Sequence, residues 1–165
     1  MVKKTMTAKQ TPQTTAGQLS SIIKSCRDIM RKDKGLNGDI DRLPMLTWIM
    51  FLKFLDDLEK VHEEEAKLAE EKYASPIKSP YRWRDWAMKE DGITGEDLIH
   101  FINNDECVRP DGTRGKGLFA YLRSLEGTGK KGDRRNVVAT VFRGTINRMI
   151  NGYLLRDVIN KINSI

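Results

Sequence analysis

Residues 43–60 read LPMLTWIMFLKFLDDLEK, and this stretch constrains the fold more than any other. Its first half is apolar nearly all round, and it runs too long for a strand. A helix that is apolar on every side has to be covered on every side, so it belongs at the centre of a domain. Pro44 suits the first turn of such a helix, where a missing amide costs nothing. Beyond Lys53 the pattern becomes amphipathic. Leu55, Leu58, Val61, Leu68 and Ala69 continue the apolar face, while Glu63, Glu64, Glu65, Glu70 and Glu71 point outward. The acidic run reads as a solvated face, with a partner-docking face as the other reading.

Helical spacing also governs the flanks. Thr15 and Gln18 form a capping-box pattern, followed by Leu19, Ile22, Ile23, Cys26, Ile29 and Met30 on one face. That predicts a helix to about Lys32, broken by Gly35 and Gly38. Ser75-Pro76 and Ser79-Pro80 end the central helix. Tyr81, Trp83 and Trp86 either stack on bases or pack a loop against the core, and packing is the reading adopted. Thr94-x-x-Asp97 opens another helix through Leu98, Ile99, Phe101 and Ile102. Arg109-Pro110-Asp111-Gly112 reads as a turn. A short helix follows through Leu118, Phe119, Leu122 and Leu125. Val138, Val141, Phe142, Ile146, Met149 and Ile150 keep helical spacing over four turns, and Asn151-Gly152 is expected to stop that helix. A last helix carries Leu154, Leu155, Val158, Ile159 and Ile162. With no hairpin signal and no repeat, the expected fold is all-α. One compact domain of several helices spans residues 15–165, and residues 1–14 form a disordered tail, since they carry almost nothing to bury.

Charge narrows the function. The net charge is +6, and residues 107–165 carry 12 basic and 4 acidic side chains. A basic block of that size suggests a polyanion, DNA above all, although a merely soluble basic surface has the same composition. The cysteines, Cys26 and Cys107, and the histidines, His62 and His100, have no metal spacing. Low cysteine use fits a reducing cytoplasm. The longest apolar run, Trp48 to Leu52, is far short of a membrane span, and the N-terminus has no apolar signal core.

The stretch GTGKKG at 127–132 has the spacing of a dinucleotide-binding loop. Such a loop follows a strand inside a βαβ unit, whereas here a helical pattern precedes it. A mobile basic loop is the better reading. Lys130 and Lys131 in the loop, Arg134 and Arg135 at the next helix start, and Arg114 and Lys116 nearby are the candidates for DNA phosphate contact. The amides of the helix N-terminus would assist them. No acid–base, nucleophile or metal constellation is found, so no catalytic, metal or cofactor residue is assigned to this chain.

Five segments in order carry a resemblance: LPMLTWIMFLKFLDDLEK, YRWRDWA, GEDLIHFINND, KGLFAYLRSL and RRNVVATVFRGTINRMINGYLLRDVINKI. Over roughly residues 15–165 the sequence resembles the N-terminal helical domain of the modification subunit of type I restriction–modification enzymes. The resemblance implies a parent DNA adenine-N6 methyltransferase that uses S-adenosylmethionine. It implies partnership with a specificity subunit, a second modification subunit, a restriction subunit and DNA. In that family an Asn-Pro-Pro-Phe/Tyr motif receives the flipped adenine, and a Phe-x-Gly-x-Gly-like motif holds the methyl donor. All five prolines of this sequence are isolated, and neither motif is present. The expectation is a non-catalytic domain whose catalytic domain lies beyond this chain. It either clamps DNA while helping assembly, or serves only as a protein–protein assembly domain for the specificity subunit.

Overall fold

The computed structural model describes residues 15–165, and the expectation of a disordered tail at 1–14 falls outside the described residues. The described chain is mostly helical. Its longest element, α2 (Asp39–Leu68), runs through 30 residues. The first half of α2 buries Met45, Leu46, Trp48, Ile49 and Leu52, as the all-round apolar pattern requires. Around it lie α1 (Thr15–Met30), the short α3 (Trp83–Trp86), α4 (Gly95–Asn103), α5 (Leu118–Arg123), α6 (Arg135–Arg143) and α7 (Gly152–Ile162). Helix α1 packs along α7, α4 lies between α7 and α5, and α5 packs on α6.

Two aromatic chains tie these helices together. Trp48 of α2 meets Phe119 of α5 edge-on at 5.1 Å, and Phe119 meets Phe142 of α6 at 5.2 Å. Tyr81 stacks on Tyr121 at 3.8 Å, and Trp86 meets Phe101 edge-on at 5.8 Å. Tyr81, Trp83 and Trp86 are all buried. The indole Nε1 of Trp83 donates to Asn163 Oδ1 at 2.8 Å, and the Asn163 amide donates to the Ala87 carbonyl. Packing therefore accounts for these aromatics, and stacking on bases does not.

Four local expectations change. First, α2 begins at Asp39, so Pro44 lies inside the helix. The amide that would bond the Ile40 carbonyl is lost, and Ile40 is open to water. Second, the helix expected to carry Val138 through Ile150 stops at Arg143. Arg123 takes its terminal carbonyls instead, with Nε donating to Phe142 O at 2.9 Å and Nη2 to Thr145 O at 2.8 Å. The buried carboxylate of Asp33 then holds the irregular link, accepting from the amides of Gly35, Ile150 and Asn151.

Third, Asn151-Gly152 starts a helix. Asn151 Oδ1 accepts from the amides of Tyr153 and Leu154, a side-chain N-cap for α7. Gly152 is needed because α7 crosses the start of α4 there: a Cβ would lie 1.8 Å from the Gly95 carbonyl oxygen. Fourth, the Arg109–Gly112 turn joins two three-residue strands, β1 (Glu106–Val108) and β2 (Arg114–Lys116), paired antiparallel with Cys107 opposite Gly115. Strands this short show no alternation from which to infer them.

Candidate interaction surfaces

The second half of α2 differs from its expected amphipathic form. Leu55 is buried as expected, but its other inward residues are Lys53, Asp56 and Glu59, each at most 5% exposed. Charges buried to that degree persist only when paired. Arg84 of α3 supplies one pairing, with Nε 2.9 Å from Asp56 and Nη1 2.8 Å from Glu63. Burial alone would lower the Arg84 pKa, but hydrogen bonds to Glu63 and Asp56 hold it above the usual value. Arg134 supplies another, 3.6 Å from Glu59 and 3.3 Å from the His62 ring. Tyr73 donates its phenol proton to Glu59, and Lys53 pairs with Asp57.

The GTGKKG loop leads into this region. Asp133 closes it, accepting from the Thr128 amide at 2.8 Å and from the Arg135 side chain at 2.7 Å. The Arg135 guanidinium, and then the amides of Thr128 and Arg135, hold the Asp133 carboxyl far below the usual carboxylate range. The Arg135 amide, the first of α6, is thus occupied by this carboxylate, where a phosphate was expected. Gly129 and Gly132 take positive φ values of 75° and 89°, which let the loop turn within this small frame.

The six candidate phosphate residues therefore divide. Lys130 and Lys131 sit exposed at the loop tip with no ion pair among the described residues, whereas Arg134 and Arg135 are engaged with Glu59 and Asp133. Arg114 and Lys116 lie exposed on β2, where Arg114 reaches Glu106 only at 4.0 Å. The structure does not gather all six onto one focused site. Among the described residues no group of three or more His, Cys, Asp or Glu side chains could hold a metal ion, and no helix is long and apolar enough to cross a membrane.

Sequence reading missed the outer face of α2. Phe54, Leu58, Val61 and Leu68 are between 40% and 88% exposed, although three of them had been assigned to the core side. Phe51, Phe54, Leu55 and Leu58 of α2, with Arg134 just before α6 and Val137 and Val138 within it, line a groove of about 310 Å³. Two further exposed apolar residues, Ile150 and Tyr153, line a groove that also includes Lys32 and Lys34.

The fold and these surfaces define a small helical domain whose core is complete while apolar faces remain uncovered. The chain belongs to the family of the HsdM N-terminal domain, which it matches over residues 19–162. It is similar to the type I restriction enzyme EcoEI methylase subunit of Escherichia coli, with 44% identity over 147 residues, covering 89% of this chain and 27% of that protein. It is also similar to a crystal structure of a modification subunit assigned to a type I restriction enzyme from Vibrio vulnificus YJ016. There the identity is 69% and the TM-score 0.89, over 95% of this chain and 32% of that one. A further solved relative, from a structure concerned with complex assembly and conformational transition of the type I R-M system, has 32% identity and a TM-score of 0.69, over 93% of this chain and 27% of that one. The chain thus spans about a third or less of the length of these relatives.

Proposed function

We propose that this chain is the non-catalytic assembly domain of a type I restriction–modification DNA adenine-N6 methyltransferase subunit, working in the cytoplasm. One observation carries the reading. Ile40, Leu68, Val137, Ile146, Ile150 and Tyr153 are each more than half exposed on a domain whose interior is already filled. Where such residues adjoin, as Phe54, Leu58 and Val137 do along the groove between α2 and α6 and Ile150 and Tyr153 do along the second groove, the exposed apolar surface marks a place where another protein sits. The relative from the work on type I complex assembly supports the same direction. The partners in this reading are the specificity subunit, a second modification subunit and the restriction subunit. S-adenosylmethionine and the flipped adenine are served by the remainder of the parent, since this chain carries neither motif, and none of its residues is assigned to them.

The test is native mass spectrometry of the full-length modification subunit, with and without residues 1–165, mixed with the specificity subunit. Loss of the complex on deletion, with methyl-donor binding retained by the remainder, is the expected result. Assembly that proceeds unchanged without these residues overturns the reading.

A second reading, DNA clamping, rests on Lys130 and Lys131, without an ion pair among the described residues, at a loop tip braced by Asp133. Each phosphate contact releases counterions, so replacing both lysines by glutamate lowers the slope of log affinity against log salt by about 2. An unchanged slope for the assembled enzyme removes these lysines from the DNA interface.

A further inference from the structure

The uncovered residues of α2 fall on a regular line. Positions 40, 47, 54, 61 and 68 recur every seven residues and are all exposed, and the exposed positions 44, 58 and 65 interleave with them, while Phe51 on the same line is half-buried against Phe142. That is the alternating three-and-four spacing of a coiled-coil seam. Ile40, Phe54, Leu58, Val61 and Leu68 supply its apolar members, all at least 40% exposed. The line follows the whole helix, about 45 Å at 1.5 Å per residue. It lies on the side away from Met45, Ile49, Leu52, Asp56 and Glu59, which the domain itself buries. Among the described residues, helix α2 therefore has one face packed into the core and a second that only α6 borders, at Phe54 and Leu58.

We infer that this seam docks a single amphipathic helix of another subunit, apolar along its own seam and lysine- or arginine-rich on one flank. The inference rests on the assembly reading and names the surface and chemistry of one contact. The charges beside the seam define the occupant. Glu64 borders one side without an ion pair among the described residues, Asp57 stands seven residues before it and is paired with Lys53, and Glu65 stands within the line itself, 3.4 Å from the His62 ring. A second copy of the chain fits poorly. Laid antiparallel, it brings Asp57 and Glu64 against their own counterparts, and laid parallel, it sets Glu65 against Glu65. A basic flank meets the same carboxylates favourably, and a basic residue opposite Glu65 fixes the register. On the other side Val137 of α6 and Arg134 just before it wall the groove at Phe54 and Leu58, giving the incoming helix a pocket for one large apolar side chain.

A photo-crosslinking amino acid at Val61 of the full-length modification subunit, assembled with its partners, tests the occupant. The expected cross-link lands in another subunit, on a helix with apolar residues at the same spacing and Lys or Arg alongside. A cross-link to a second copy of this chain or to another part of the same chain, or no cross-link at all, overturns the inference. In parallel, Phe54→Asp with Leu58→Asp is expected to weaken subunit binding about tenfold or more, with an unchanged circular-dichroism melt as the folding control. Glu64→Lys with Glu65→Lys is expected to weaken it too, through charge alone. If deleting residues 1–165 abolishes assembly but these variants leave affinity unchanged, the seam is wrong and the assembly reading stands. If the deletion also leaves assembly intact, both fall.

Discussion

The two halves of α2 solve the same packing problem with opposite chemistry. From Met45 to Leu52 the helix turns hydrocarbon and indole toward the domain, and from Lys53 to Glu59, Leu55 apart, it turns charge. The apolar half gains from removing surface from water and needs only approximate partners. The ionic half has to recover the cost of desolvating each charge through specific partners, Arg84 and Arg134. The first half supplies stability and the second supplies geometry. It fixes where α3 and the start of α6 sit, and with them the groove wall and the loop that carries Lys130 and Lys131.

The largest test of this contrast is Trp48→Ala. Trp48 is 1% exposed and packs edge-on against Phe119. Its truncation leaves a cavity between α2 and α5 and is expected to cost about 3–5 kcal/mol, read by urea unfolding. A loss below about 1 kcal/mol would mean that the apolar half is not the centre of the domain.

Arg84→Ala comes next. It strips Asp56 of its closest partner, leaving Lys60 at 3.6 Å, and frees Glu63. The expected cost is about 2–4 kcal/mol, most of it the penalty of an uncompensated buried carboxylate. Arg84→Met combined with Asp56→Leu sharpens the contrast. If the ionic half serves geometry, much of the stability returns, while α3 shows faster amide exchange than in the parent. Full recovery of both would make the two halves interchangeable.

The same contrast explains what could be read from the sequence. An apolar surface is legible because many residues repeat the message at helical spacing, and so the central helix, the terminal helices and the packed tryptophans were all foreseeable. A buried carboxylate has no such signature. Asp56 and Glu59 look like the exposed Glu64 until Arg84, 28 residues further on, is placed beside Asp56. Arg134 and Arg135 looked like free cations for the same reason, while Lys130 and Lys131, taken from the same basic loop, do stand exposed at its glycine-framed tip. The break at Gly144 depends on Arg123 and Asp33, residues distant in sequence that take over hydrogen bonds the helix would otherwise make.

Tyr73→Phe probes the edge of the ionic half, where the phenol donates to buried Glu59. The expected loss is about 1 kcal/mol. Burial first, then the hydrogen bond and charge of Glu59, raise the phenol pKa above its ordinary value, which is about 10. A pKa raised by folding contributes stability that is full below the unfolded value and is lost as pH rises through the folded one. The gap between wild type and variant should therefore be constant through neutral pH and close at alkaline pH. A gap independent of pH would place the effect in packing.

The smallest expected change is a gain, at the point where the ionic half ends. Helix α2 stops at Leu68, and Glu70 follows with φ of 54°, a left-handed conformation that costs a residue with a Cβ. The conformation is held in place by the chain reversal: the Glu71 amide bonds back to the Ala66 carbonyl at 2.8 Å and the Glu70 amide to Lys67. A glycine makes the same turn without the clash. Glu70→Gly should therefore stabilise the domain by about 0.5–1 kcal/mol, the relief of strain exceeding the added freedom of the unfolded chain. The reversal sends the chain back so that Tyr73 can reach Glu59. If the turn is what positions Tyr73, the gain from Glu70→Gly should shrink in a Tyr73→Phe background. Strict additivity of the two substitutions would show that the helix end and the ionic half are independent.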